Sequence, residues 1–231
     1  MKNGKLVATL GAVALVAAVG LGSTLAYLTD TTNNVTNTFV MGNVTFNDDP
    51  ALKGGLVEHT IVVKDNGYEL GTDWTDENRY EKVTPGEKLP KDPTAFVGEG
   101  SEDAYLYVLV SNSTDYSEIE YTDEFKDGKV ATVKDDAGKE YTLYRAKDIV
   151  KAPKKAADDL GHKVFSSVKV RDDIEFTADG KKITYKNGND VVTKDALDQI
   201  TVKAALVQSD NITVKAADEA VIKLLKVTVV K

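Results

Sequence analysis

Tyr105-Leu-Tyr-Val-Leu-Val110 is an unbroken apolar run of strand length. It has no polar alternation, so it reads as a strand covered on both faces. Stretches of the same kind lie on either side of it. Glu124-Phe-Lys-Asp127-Gly128-Lys-Val-Ala-Thr-Val133 reads as two extended segments around an Asp-Gly turn. Asp135-Asp-Ala-Gly138 leads into Lys139-Glu-Tyr-Thr-Leu-Tyr144. Ile174-Glu-Phe-Thr-Ala-Asp179-Gly180-Lys-Lys-Ile-Thr-Tyr185 reads as a hairpin, its Asp-Gly pair suiting a type I′ turn. Asn187-Gly188 marks another turn, and Thr60–Val63, Ile200–Val207 and Val221–Val230 read as further strands. Helix signals are few: Pro153–Leu160 before Gly161, and a turn or two at Ala216–Ala220. Glu69–Asn78, with the single Trp74, reads as a loop. Many short strands separated by turns predict an all-β protein. The expected fold is a jelly-roll β-sandwich with one or two short helices.

The chain has 231 residues and no cysteine, so its stability rests on packing and backbone pairing without disulfides. Its N-terminus carries Lys2 and Lys5, then an apolar run from Leu6 to Leu21, then Gly22-Ser-Thr-Leu-Ala26. Thr24 and Ala26 stand at the spacing that a signal peptidase reads, which predicts cleavage between Ala26 and Tyr27. The competing reading is an uncleaved anchor, since no charge falls between Lys5 and Asp30. The predicted organisation is a signal peptide (1–26), an N-terminal segment (27–43) and a sandwich domain (44–231). The net charge is −8, and losing residues 1–26 leaves −10. Such a field does not attract nucleic acid or anionic lipid.

Three stretches together resemble a known family. The first is Gly22-Ser-Thr-Leu-Ala-Tyr-Leu-Thr-Asp30 with Asn37-Thr-Phe39 and Met41-Gly42. The second is Thr84-Pro-Gly-Glu-Lys-Leu-Pro-Lys-Asp-Pro-Thr94 followed by Gly100-Ser-Glu-Asp-Ala-Tyr105. The third is Ala204-Ala-Leu-Val-Gln-Ser-Asp-Asn211. In this order they resemble the TasA/camelysin family of exported, fibre-forming proteins of Gram-positive biofilm matrices. The resemblance implies export through a dedicated SipW-type signal peptidase. It also implies a secreted structural protein, with homopolymeric fibres of the matrix or cell surface built by donor-strand complementation and a minor anchor subunit as a possible further partner. The donor would be the mature N-terminus, with Tyr27 at its start. Val35, Phe39 and Met41 fall on one face of an extended strand. An edge receiving it gains a ladder of main-chain bonds and side-chain pockets. The plainer reading makes Thr36–Phe46 the first strand of its own sandwich.

Other function classes find little support in the residues. The chain holds two histidines, His59 and His162, with no His-Glu-x-x-His, and both read as surface residues. A camelysin-like surface metallopeptidase therefore ranks behind a monomeric secreted binding or adhesin module. Ser166-Ser167 has no nucleophile elbow. The paired acids Asp48-Asp49, Asp135-Asp136, Asp158-Asp159 and Asp172-Asp173 read as solvated turns. Asp73, Asp76 and Glu77 beside Trp74 are the weak calcium candidates, off the usual loop spacing. No enzyme and no cofactor are expected.

Overall fold

The computed structural model describes the backbone of Thr29–Thr31 and residues 44–52, 54–155 and 161–230. Its largest element is a six-stranded antiparallel sheet. In spatial order this sheet is β1 (Thr29–Thr31), β15 (Val202–Gln208), β6 (Ala104–Ser111), β9 (Glu140–Arg145), β8 (Lys129–Lys134) and β16 (Thr228–Val229). Facing it are β4 (Lys88–Pro90), β11 (Phe165–Val170) and β7 (Tyr116–Tyr121). Beside these lies a sheet ordered β10 (His162–Lys163), β5 (Thr94–Ala95), β2 (Leu56–Lys64) and β3 (Gly67–Thr75). A smaller sheet holds β12 (Glu175–Phe176), β13 (Ile183–Asn187) and β14 (Asp190–Lys194). The chain winds between layers: β6 is in the large sheet, β7 opposite, β8 and β9 back in the large sheet, β11 opposite again. The fold is the expected all-β sandwich, with jelly-roll-like winding and one short α-helix, α1 (Val214–Leu224), among the described residues.

The central run is covered on both faces, as its composition predicts. On one side Leu106, Val108 and Leu206 share a core with Leu89, Phe165 and Val168 of the facing sheet. On the other, Tyr107, Leu109, Ala205 and Val207 pack with Ala217 and Val221 of α1. Residues alternate between the two cores because successive strand side chains point to opposite faces.

Several expectations fail for identifiable reasons. Val221–Val230 is not a strand: Val221–Leu224 completes α1 and only Thr228–Val229 is extended. Thr213 caps the helix by accepting a bond from the Ala216 amide at 3.2 Å. Ala217, Val221 and Leu224 then fall at helical spacing on its packed side. Its far end closes with Lys226 N–H donating to Lys223 O (3.2 Å) and Val227 N–H to Ile222 O (3.2 Å). That is a Schellman pattern, with Lys226 at φ 52 where glycine is usual.

Glu69–Asn78 is not a loop, because β3 runs from Gly67 to Thr75 and pairs along β2. Glu124–Lys126 is a turn rather than a strand, with the amides of Phe125 and Lys126 both donating to Thr122 O. The Asp179-Gly180 turn is not type I′, for only Gly180 of the two has positive φ (66°). Its amide donates to Thr177 O at 2.7 Å, and the loop closes by Thr177 N–H donating to Lys182 O. Of the predicted helix Pro153–Leu160, residues 153–155 are not helical; 156–160 lie outside the described residues.

Candidate functional site: one sheet edge and its neighbouring charge clusters

Parts of the three stretches that carry the family resemblance lie on neighbouring strands of the large sheet. β1, from the first stretch, pairs antiparallel with β15, from the third, with Thr29 opposite Val207, Asp30 opposite Leu206 and Thr31 opposite Ala205. On its other side β15 pairs with β6, where Val207 opposes Tyr105 and Gln208 opposes Ala104, the end of the second stretch. Ser209 extends this junction: its amide and hydroxyl both donate to Asp103 O, at 2.9 and 3.0 Å. The other half of the second stretch turns at Pro85-Gly86, where Glu87 N–H donates to Thr84 O at 3.1 Å and Gly86 takes φ 78. Positive φ after proline makes this a type II turn and leads the chain into β4.

Ala205, Leu206 and Val207 have fully buried side chains. The edge is therefore an apolar strand placed between two cores, with main-chain bonds directed outward. An edge of this kind templates pairing unless something covers it. Among the described residues, β1 covers it. At Thr29–Thr31 the N-terminal segment thus pairs within its own domain. Ala26, Tyr27, Thr24, Val35, Phe39 and Met41 lie outside the described residues. Sequence reading singles out both strands but not their pairing, because contact between positions so far apart leaves no local pattern.

The histidines are also corrected. Both are half-buried rather than freely exposed, and each is paired with a carboxylate. His59 Nδ1 sits 2.8 Å from Asp92 Oδ2, and the His59 amide donates to Asp92 Oδ1 at 3.0 Å. Asp92 is fully buried, with Lys163 Nζ 3.5 Å away. The imidazole stacks on Trp74 at 3.8 Å, and Trp74 meets Phe96 edge-on. Next to it Lys91 binds both oxygens of buried Glu58 at 2.7 and 2.8 Å. His162 Nδ1 lies 2.7 Å from Glu124 Oε1. Buried charges persist when they are paired and hydrogen-bonded, and these clusters join β2, β5 and β10.

Two further clusters tie the peripheral elements down. Asp115 is fully buried; its Oδ2 accepts from the Asp198 amide and from Lys194 Nζ at 3.3 Å, and Lys194 also binds Asp198 at 2.6 Å. Burial opposes charge on Lys194, but Asp198 and Asp115 outweigh it and raise its pKa. Across the outer face, Asp218 of α1 accepts from Tyr107 Oη at 2.8 Å and Arg145 Nη1 at 2.5 Å. Burial first, then the bond to Asp218, pushes the Tyr107 hydroxyl far above its usual range.

No group of three or more His, Asp or Glu side chains is arranged to hold a metal among the described residues. Asp73 lies on β3 with Asp76 and Glu77 in the segment after it, and they form no such group. No helix among the described residues is long and apolar enough to cross a membrane. The architecture defines an all-β sandwich with a strand-capped edge. No protein-family model, curated protein or solved structure matches the chain.

Proposed function

We propose that the chain is a secreted structural subunit, freed by signal-peptide cleavage, that polymerises head to tail into extracellular fibres through its N-terminal strand. One observation carries this reading. Parts of the three stretches resembling the TasA/camelysin family, Thr29–Asp30, Ala204–Gln208 and Ala104–Tyr105, lie far apart in sequence yet fall on the adjacent strands β1, β15 and β6, and the first belongs to the N-terminal segment itself. A covalent leader in front of Tyr27 would hinder threading of that end into a neighbour, so cleavage would act as the assembly switch. The role needs no catalytic step.

Electron microscopy of the purified protein beginning at Tyr27 tests the proposal. Long filaments are expected, and discrete particles at all concentrations would overturn it. A second reading, a monomeric secreted binding module, is favoured by β1 being seated on its own β15. Discrete particles would be its signature.

A further inference from the structure

We infer that Lys194 and Asp115 become joined by an intramolecular amide bond, Nζ to Cγ, with the Asp198 carboxylate as the acid–base group of the reaction. The cross-link fastens β14 of the small sheet to β7 of the facing sheet. It stands independently of the polymer reading.

An amine, a carboxyl carbon and a proton carrier meet at one point. Asp115 directly precedes β7, and its side chain is fully buried. Lys194 ends β14 and sets its Nζ 3.2 Å from Asp115 Oδ1 and 3.3 Å from Oδ2, against the carboxyl carbon between them. Asp198 Oδ2 holds the same Nζ at 2.6 Å. The Asp198 amide donates to Asp115 Oδ2, which polarises that oxygen as the carbonyl of an amide is polarised. Oδ1 is different. Among the described residues it is the one buried side-chain nitrogen or oxygen that makes no hydrogen bond. Leaving a buried carboxylate oxygen unbonded is costly. Condensation removes that oxygen.

The surroundings are aromatic. The buried Tyr185 ring lies 5.6 Å from Nζ, and its hydroxyl is tied to Thr114 Oγ1 at 2.5 Å. Tyr116 Oη donates to Asp198 O at 3.2 Å. Groups held in reacting position act at effective molarities of about 10⁵–10⁸ M. Shielding from bulk water suppresses the reverse hydrolysis.

Nζ gives up two of its three protons through Asp198. The Nζ–Cγ bond forms and the Cγ–Oδ1 bond breaks. Oδ1 takes both protons and leaves as water. One positive and one negative side chain become a neutral amide, so the net charge is unchanged and no oxidant or co-reactant is required. Burial favours the free amine of Lys194, but Asp198 and Asp115 outweigh it and raise the pKa. The amine is therefore scarce and the step slow, which a bond formed once in the life of a chain tolerates. The chain has no cysteine, so this tie stands where a disulfide is impossible. Lys91 and Glu58 supply an internal control: that buried pair has both carboxylate oxygens hydrogen-bonded, at 2.8 and 2.7 Å, and stays an ion pair.

Intact-mass spectrometry of the folded protein beginning at Tyr27 is the test. A mass one water below the sequence value is expected, with a tryptic peptide pair joined through Lys194 and Asp115. Lys194→Arg and Asp198→Ala are expected to restore the full mass. Asp115→Asn is expected to lose one ammonia instead, because the same carbon then carries an amide leaving group. The linked protein should melt about 10 °C above Lys194→Arg. Folded, unaltered protein that keeps its full sequence mass after prolonged incubation would overturn the cross-link. So would a water loss that persists in Lys194→Arg, which marks a succinimide elsewhere in the chain.

Discussion

The two edges of the large sheet are both closed by short strands from the ends of the described chain, but they are held in different ways. At one edge β16 pairs with β8, Thr228 opposite Lys134 and Val229 opposite Val133. At the other, β1 pairs with β15. β16 follows directly on α1, which buries Ala217 and Val221 against the sheet, ends in a Schellman turn, and is fastened by the contacts of Asp218 with Tyr107 and Arg145. β1 has a three-residue ladder among the described residues. A short strand gains about 0.5–1.5 kcal/mol per hydrogen bond and loses about 1–2 kcal/mol of backbone entropy per ordered residue. The ladder at β1 is thus close to neutral. One edge is welded and the other is held by a short ladder, and the second is the edge that the proposed polymerisation would use.

The largest expected effect comes from breaking the weld. Val221→Asp puts an unpaired carboxylate where a fully buried side chain packs on β15 and β6. It should destabilise the protein by about 4 kcal/mol in urea denaturation. A loss below about 1 kcal/mol would mean that α1 is not part of the cooperative unit. Asp218→Ala should cost about 2 kcal/mol, because it strands Arg145 and the Tyr107 hydroxyl.

The weld also has a pH signature. Tyr107 in the folded protein holds its proton far above the ordinary value of 10, mainly through burial. Outside the weld, Tyr116 on β7 of the facing sheet is pushed up to about 12, again mainly by burial. Between pH 10 and these folded values the unfolded chain binds fewer protons than the folded one, so stability falls as pH rises. The contribution is complete below pH 10. It declines by about 1.4 kcal/mol per pH unit per tyrosine above it. Absorbance of ionised tyrosine followed alongside circular dichroism checks this, since Tyr107 should ionise only as the fold is lost and Tyr116 only near pH 12 or on unfolding.

Lys226→Gly relieves a positive-φ residue at the helix end. It should stabilise by about 1 kcal/mol, read as an upward shift of the denaturation midpoint. Smallest of all is deletion of Tyr27–Thr31, which should change monomer stability by less than about 1 kcal/mol. A cost of several kcal/mol would make β1 as firmly held as β16 and erase the contrast.

Much of the sandwich is readable from short-range pattern. Tyr105–Val110 lacks alternation because both its faces are covered, and Asp135–Gly138 turns the chain between β8 and β9 as its composition indicates. α1 is misread because Val221-Ile-Lys-Leu-Leu has the composition of a strand. What decides for helix is the Thr213 cap and the match of Ala217, Val221 and Leu224 to one face. β3 is polar and lacks apolar alternation, and it is extended because β2 offers it a ladder; the Asn66-Gly67 pair is its one local signal. At the β1–β15 edge both strands are legible and their pairing is not. The histidine clusters are likewise invisible in one dimension, since Asp92 and Glu124 reach His59 and His162 only through the fold.

The most direct measurement compares, by electron microscopy at equal concentration, the protein beginning at Tyr27 with the protein beginning at Thr32. The account predicts filaments from the first and discrete folded particles from the second, with near-identical melting curves. Filaments of the same abundance from both would contradict it.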